Sequence, residues 1–324
     1  MTPPPPPNEP FATDATLADA GEFGLISALT GRFGQGPQVY VGPGDDAAVL
    51  RTPKGHVVVS TDLLVEGRHF RREWAQARDI GRKAAAANLS DVNAMGGTAH
   101  SLTVGLAAPA TLPVQWALDL ADGIAEEAGL VGATIVGGDL TTANEVVVAV
   151  TVMGTCEVSP VLRSGARSGD VLALAGRQGW AAAGLAVLGR GFRSPRVLVE
   201  AYQRPEPPYA AGLATARAGA TAMIDVSDGL LADAGHVAAG SGVAIDIDRS
   251  AFELAEPMRA VGSALGVDPM QFILGGGDDH AILATFPAGA DLPEGFTAIG
   301  SVADGEGVTV DGESYDGPTG WAHF

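Results

Sequence analysis

The chain is predicted to be an α/β protein of two domains, and three observations carry that expectation. Short runs rich in Val, Ile and Thr, cut by Gly- and Pro-containing turns, alternate with Ala- and Leu-rich stretches of helical period in both halves. The 324 residues exceed what one hydrophobic core usually organises, since single cores stop growing near ~250–300 residues. An apolar fraction of 46% with 45 glycines suits a folded chain with many tight turns, and an aromatic fraction of 6% leaves packing mainly to Ala, Val and Leu.

In chain order, residues 1–12, with Pro3 to Pro7 in a row, read as a disordered or polyproline tail. Leu17, Phe23, Ile26, Leu29 and Phe33 have near-helical spacing, ended by Gly34 and Gly36. Residues 39–41, 47–50 and 56–60 are β-rich and separated by Gly-Pro-Gly and Pro-Lys-Gly turns, which would leave Asp45, Asp46 and Asp62 at strand ends. Residues 79–95 form an Ala-rich helix stopped by Gly96-Gly97, on which Asn88 and Asp91 share a face. A strand near 100–107, a helix at about 113–129 and strands near 133–137 and 145–154 complete the first half, with Asp139 just past a strand.

Residues 158–170, containing Pro160 and Arg-Ser-Gly-Ala-Arg-Ser-Gly, have a linker composition, so the domains are placed at 13–157 and 158–324. The second half alternates a strand near 171–175, helices near 178–189, 195–203 and 208–218, and a strand at 222–225. A helix opening at Asp228, a strand near 243–247, helical stretches near 254–274 and further strands finish it.

Nineteen basic against 38 acidic residues give a net charge of −19, which opposes nucleic-acid backbones and anionic membranes. Cys156 is the only cysteine, so neither an intrachain disulfide nor a Cys-rich zinc site is available, and a reducing cytoplasm is the expected compartment. No apolar stretch approaches the ~20 residues of a membrane span, and no basic-then-apolar leader opens the chain.

The chemistry is concentrated in five acidic motifs: Gly44-Asp45-Asp46, Ser60-Thr61-Asp62, Asn88-Leu89-Ser90-Asp91, Gly137-Gly138-Asp139 and Asp225-Val226-Ser227-Asp228-Gly229. Singly, each reads as a turn or a helix cap, because Asp and Gly serve both. Together they suggest a hard cation such as Mg²⁺, which takes oxygen ligands from a few carboxylates and from substrate phosphates. Adjacent carboxylates at 45 and 46 repel unless a cation neutralises them. Asp91 interrupts an Ala-rich helix, where a partly buried carboxylate needs a partner, with a salt bridge to Lys83 or Arg82 as the structural alternative. One acid of the pair Asp225 and Asp228 could cap a helix, but hardly both. His69 and His280 stand near acidic motifs, yet no H-x-x-x-H or cysteine pair points to zinc. No G-x-x-x-x-G-K-[ST], H-R-D, D-F-G or dinucleotide fingerprint is present, so any ATP is held through metal-bridged phosphates.

Taken in order, these motifs resemble the thiamine-monophosphate kinases, a family in the superfamily of aminoimidazole ribonucleotide synthetase and selenophosphate synthetase. The resemblance runs from about Gly21 to Phe324. It includes Gly42-Pro43-Gly44-Asp45-Asp46, Val65-Glu66-Gly67-Arg68-His69-Phe70, Arg163-Ser164-Gly165-Ala166, Gly276-Gly277-Asp278-Asp279 and the Trp321-Ala322-His323-Phe324 ending. It implies transfer of the ATP γ-phosphoryl group to thiamine monophosphate. It implies an N-terminal domain built on a mixed sheet, pairing into a barrel in a homodimer, and a second α/β layer.

By the same resemblance Asp46, Ser60, Thr61, Asp62, Asp91, Asp139, Asp225 and Asp228 would hold several Mg²⁺ ions. Gly138, Asp139, Arg163 and Ser227 would contact ATP, and His69, Asp278 and Trp321 would face the thiamine phosphate. Metal ligands then make up the catalytic equipment, with no general base. The family often has Gly-Gly-Glu-Asp-Tyr-Glu where this chain has Gly276-Gly277-Asp278-Asp279-His280-Ala281. The alternatives are another ATP-using enzyme of the superfamily, such as aminoimidazole ribonucleotide synthetase, and a non-catalytic Mg²⁺–nucleotide-binding module. Selenophosphate synthetase would need a reactive Cys near its start, far from Cys156.

Overall fold

Two mixed six-stranded sheets account for nearly all of the strand-forming sequence in the computed structural model, which describes residues 39–41, 45–52 and 55–321. The expected tail at 1–12, the helix expected over 17–33, residues 42–44 and the His323-Phe324 end lie outside the described residues. The first sheet is built from β1 (Val39–Val41), β2 (Ala48–Thr52), β3 (Gly55–Val65), β4 (Thr98–Ala108), β5 (Thr134–Thr142) and β6 (Val147–Thr155). Its order is β1-β2-β3-β6-β4-β5, antiparallel except where β5 runs parallel to β4. Helices α1 (Ala77–Ala94) and α2 (Val114–Leu130) belong to the same segment.

The second sheet comprises β7 (Val171–Ala175), β8 (Ala222–Val226), β9 (Ala244–Ile247), β10 (Ala281–Phe286), β11 (Phe296–Ala303) and β12 (Gly307–Val310). Its order is β12-β9-β11-β7-β10-β8, with β12 parallel to β9. Its helices are α3 (Trp180–Gly189), α4 (Arg196–Gln203), α5 (Ala211–Arg217), α6 (Leu230–Ser241), α7 (Glu256–Leu265) and α8 (Met270–Gly275).

Alternation explains the first sheet. In β6, Val148, Val150 and Val152 are fully buried while their neighbours are half-buried, the signature of a strand with one face on a core. The strands β8 and β10 are buried at every position. Although β8 ends the order of its sheet, α1 packs along it, so this edge is covered rather than open. Helix α1 thus has the first sheet, α2 and the second sheet as neighbours, and thirteen of its eighteen residues are buried, which explains its alanines.

Three expected boundaries shift. Asp62 lies inside β3 rather than at its end, because β6 continues alongside through Val65. Asp139 lies inside β5, paired with Gly105. The Gly137-Gly138 pair does not stop the strand, because a Cβ at 138 would sit 2.0 Å from the Val104 carbonyl oxygen and only glycine allows the two strands this close. The helix expected to open at Asp228 opens instead at Leu230, after Gly229.

Contact between α1 and α2 also depends on glycine. A Cβ on Gly81 would lie 2.1 Å from the Leu120 carbonyl oxygen, and one on Gly123 would lie 2.0 Å from that of Arg78. Gly123→Ala is therefore expected to lower stability by about 1–3 kcal/mol despite alanine's better helix propensity. A urea-unfolding midpoint no lower than the parent's would refute this close packing.

Candidate active site

The site forms where β3, α1 and β8 meet. Ser60 and Asp62, two apart on β3, share its core face, against which α1 lies. Ser60 Oγ donates to Asp91 Oδ2 at 2.5 Å, and the Asp62 backbone N–H donates to Asn88 Oδ1 at 3.0 Å. Asn88 is itself oriented by donating from Nδ2 to the Ala84 carbonyl at 2.9 Å. The face shared by Asn88 and Asp91 is thus the face that reads β3. From the other sheet, Asp225 on β8 completes a cluster in which carboxylate oxygens of Asp46, Asp91 and Asp225 lie within 4.8 Å of one another.

Such a cluster is costly when ionised. Burial pushes the Asp46 carboxyl up to about 7 even though the Arg163 guanidinium donates to its Oδ1 at 2.7 Å. Asp91 is pushed well up, first by desolvation and then by the charges of Asp62 and Asp225, against the hydrogen bond from Ser60. Burial opposes the charge on Arg163, but Asp46, Asp45 and Asp225 outweigh it and raise its pKa. Asp46 Oδ2 is buried with no hydrogen-bond partner among the described residues. Three converging carboxylates, one with an orphaned buried oxygen and a serine hydroxyl beside them, are the donor set a hard divalent cation takes. These residues therefore fit Mg²⁺.

The two acids of the first motif divide their work. Asp45 accepts from the backbone N–H groups of Asp46 at 3.0 Å and of Arg163 at 3.1 Å, tying the start of the first sheet to residue 163, whereas Asp46 faces the cluster. Next to it, Asp228 groups with Asp233 and His236, with ligand atoms again within 4.8 Å. Asp233 Oδ2 accepts from the backbone N–H groups of Asp228 at 3.1 Å and Gly229 at 3.0 Å. Ser227 is exposed at the same turn, and its carbonyl accepts from the Asp278 backbone N–H at 2.8 Å.

Two of the expected acceptor-side residues, Asp278 and Trp321, are bonded to this turn. The Trp321 N–H donates to the Asp228 carbonyl at 3.0 Å, and the Arg68 guanidinium carbon lies 5.7 Å from the Trp321 ring centroid. His69 Nδ1 accepts from the Val65 N–H at 3.0 Å, which puts the imidazole proton on Nε2 in the neutral ring. Asp278 and Asp279 separate. Asp278 is partly exposed and paired with Lys83, while Asp279 is buried and accepts from the Ala181 N–H at 3.0 Å at the start of α3. Neither Lys83 nor Arg82 pairs with Asp91, because Lys83 reaches Asp278 and Arg82 reaches Glu127 at 2.8 Å.

Three expected residues stand elsewhere in the single chain. Thr61 lies on the opposite face of β3, its Oγ1 2.7 Å from Thr151 Oγ1. Asp139 is exposed on the edge strand β5, and its register through Gly105 and Ala149 to Leu63 places it on the face away from Asp62, while Gly138 is in register with Asp62 through Val104 and Val150 but lies on β5, separated from β3 by β6 and β4. Conversely, sequence reasoning missed His280 as a partner of Asp225, with Nδ1 2.9 Å from Oδ2. Burial opposes protonation of His280, but that bond and the charges of Asp225, Asp278 and Asp62 raise its pKa. It also missed Asp233, whose sole signal was an acid in the first turn of a helix.

Two mixed sheets with a carboxylate cluster at their seam define a class, and the chain matches both halves of it: AIR synthase related protein, N-terminal domain, over residues 44–156, and the corresponding C-terminal domain over 167–311. A thiamine-monophosphate kinase of Mycobacterium tuberculosis is 46% identical over 97% of this chain and 95% of that protein. The one of Corynebacterium glutamicum is 39% identical over 95% of each. The solved complex of AaThiL with AMPPCP and TMP superposes with a TM-score of 0.89 at 32% identity, covering 97% of this chain and 100% of that one. The chain belongs to the thiamine-monophosphate kinase family.

Asp279 provides a pH test of the site's framework. Burial raises its carboxyl from 3.8 to about 7 against the pull of the Ala181 and Gly179 N–H groups, and its Oδ2 has no hydrogen-bond partner among the described residues. The folded state then holds the proton more tightly than the unfolded one, so stability falls as pH rises from about 4 to about 7 and the cost is constant above that. Asp279→Asn keeps an acceptor for Ala181 without the charge. It is expected to melt above the parent by a margin that grows across this window and then levels; a margin independent of pH would refute the assignment.

Proposed function

We propose that the chain transfers the γ-phosphoryl group of ATP to thiamine monophosphate, releasing thiamine diphosphate and ADP. The observation that carries this reading is the placement of a buried carboxylate cluster beside a turn to which Asp278 and Trp321 are bonded. The names of the relatives and the AMPPCP and TMP complex of AaThiL support it. When bound, Mg²⁺ supplies charge neutralisation for phosphates that the clustered carboxylates alone would repel. Asp46, Ser60, Asp62, Asp91, Asp225 and Asp228 are the residues we assign to holding it, whereas Thr61 and Asp139, on the other face of the first sheet, do not reach that cluster within the single chain.

Arg163, Ser227 and Gly138, with Asp139, are assigned to ATP. Arg163 brings a fixed positive charge to a site otherwise acidic, and its buried Nε has no hydrogen-bond partner among the described residues. On the acceptor side, the exposed Trp321 ring and the Asp278 carboxylate suit a cationic heteroaromatic ring, and neutral His69 offers its Nε2–H to a phosphate oxygen. The attacking phosphate oxygen is already ionised, so no residue has to remove a proton from it, and positioning supplies the rest of the rate.

We assign the exposed apolar residues Leu63 on β3 and Val136 and Leu140 on β5 to the pairing of two chains in a homodimer. Among the described residues no helix is long and apolar enough to cross a membrane. The half-buried Cys156 thiol, pushed up to about 11 by burial, suits a reducing cytoplasm.

ADP release coupled to a dehydrogenase is expected with thiamine monophosphate but not with thiamine or an aminoimidazole precursor, and a chelator should abolish it. Nucleotide binding without thiamine-monophosphate-dependent turnover would sink the kinase reading. Asp91→Asn is expected to lower turnover by at least ~10³-fold with an unchanged circular dichroism spectrum. Near-normal activity in that variant would remove Asp91 from the site.

A further inference from the structure

Lys83 is an ammonium in the interior, with 4% of its side chain exposed. Buried lysines survive only with partners, and this one has three, all from the second half of the chain. It donates to the Asp278 carboxylate and to the Tyr202 carbonyl at 3.2 Å, and it lies 3.9 Å from the centroid of the Tyr202 ring. Each direction around Nζ is taken by the protein itself, so Lys83 is not arranged to touch a substrate.

The same contacts continue to His69. The Tyr202 hydroxyl donates to the His69 carbonyl at 3.1 Å, and burial together with the Asp278 charge raises its pKa, so it remains a donor. His69, Tyr202, Lys83 and Asp278 form one chain of contacts joining the loop after β3, α4, α1 and the turn before β10. At its far end the turn is held under strain. Asp278 and His280 are non-glycine residues at φ 70° and 54°, kept there by N–H bonds to Ser227 and Val226 carbonyls at 2.8 and 3.1 Å.

We propose that Lys83 is a positioning residue for the phosphate acceptor: it fixes the Asp278 carboxylate and, through Tyr202, the loop that carries His69. This rests on the reading of Asp278 and His69 as acceptor contacts. Helix α1 then acts as a ruler. Lys83 and Asp91 are eight residues apart on it, about 12 Å along the axis at 1.5 Å per residue, so one rigid element sets the separation between acceptor and metal-binding carboxylates. A shorter side chain at 278 than the glutamate common in the family needs such fixing, because the lysine sets where its single carboxylate stands.

Lys83→Met is expected to raise KM for thiamine monophosphate, and its calorimetric Kd, by about tenfold or more, with kcat and KM for ATP within about twofold. Asp278→Asn should likewise raise KM and Kd for thiamine monophosphate, and the double variant should bind it no more weakly than the worse single one. Tyr202→Phe, which keeps the ring and the carbonyl, should give a smaller rise of about two- to fivefold. If Lys83→Met fails to fold, Asp278→Asn and Tyr202→Phe carry the test. Equal rises in both KM values, effects that multiply in the double variant, or a Tyr202→Phe protein identical to the parent would overturn the proposal. A parent that binds thiamine monophosphate without turnover overturns only the kinase reading; one that does not bind it overturns both.

Discussion

Three carboxylates gathered within 4.8 Å of one another at a buried seam are the constraint on which the rest of this structure depends. Left as they are, they repel one another and lose their hydration, and the single guanidinium of Arg163 offsets only part of that cost, since Asp46 remains raised to about 7. A fold tolerates such a cluster when a cation completes it and when the surrounding elements prevent it from relaxing apart. Both sheets contribute: Asp46 and Asp91 come from the first segment and Asp225 from β8 of the second, so opening the seam would disperse the ligands.

Helix α1 is the part that makes this possible. Its alanines and Gly81 let it approach β3, α2 and β8 together, and its polar positions point to distinct tasks. Asn88 and Asp91 meet β3. Asn93 accepts from the Gly212 N–H at 3.0 Å and donates to the Pro208 carbonyl at 3.1 Å, and Lys83 reaches Asp278. A helix buried on nearly all sides normally carries apolar residues only. Here Lys83, Asn88 and Asn93 each have a partner in another element, so the helix locks the relative position of the two halves instead of destabilising either.

The two neighbouring acids at 278 and 279 show how little adjacency means for chemistry. Successive residues diverge in direction, and the strained turn sends Asp278 toward a lysine and partial solvent while Asp279 is buried against the start of α3. One serves the candidate site and the other the framework. The same division holds at Asp45 and Asp46, where one carboxylate ties backbone N–H groups and the other faces the cluster.

Periodicity and composition by themselves determined the α/β class, most element positions and the acidic motifs, because Asp among glycines and at odds with helix propensity is visible in one dimension; the candidate ligand set Asp46, Ser60, Asp62, Asp91, Asp225 and Asp228 came from the family resemblance of those motifs. The shared face of Asn88 and Asp91 follows directly from the helical repeat. Strand ends were less legible: β3 runs past Asp62 and β5 past Asp139 because a neighbouring strand continues beside each, and pairing is a long-range property. Only tertiary structure decided that Lys83 belongs to Asp278 and not to Asp91, that His280 meets Asp225, and that Thr61 and Asp139 occupy the other sheet face. The partners in each pair lie 195 and 55 residues apart, and no local pattern encodes which distant strand or turn a buried charge will meet when two sheets close over one helix.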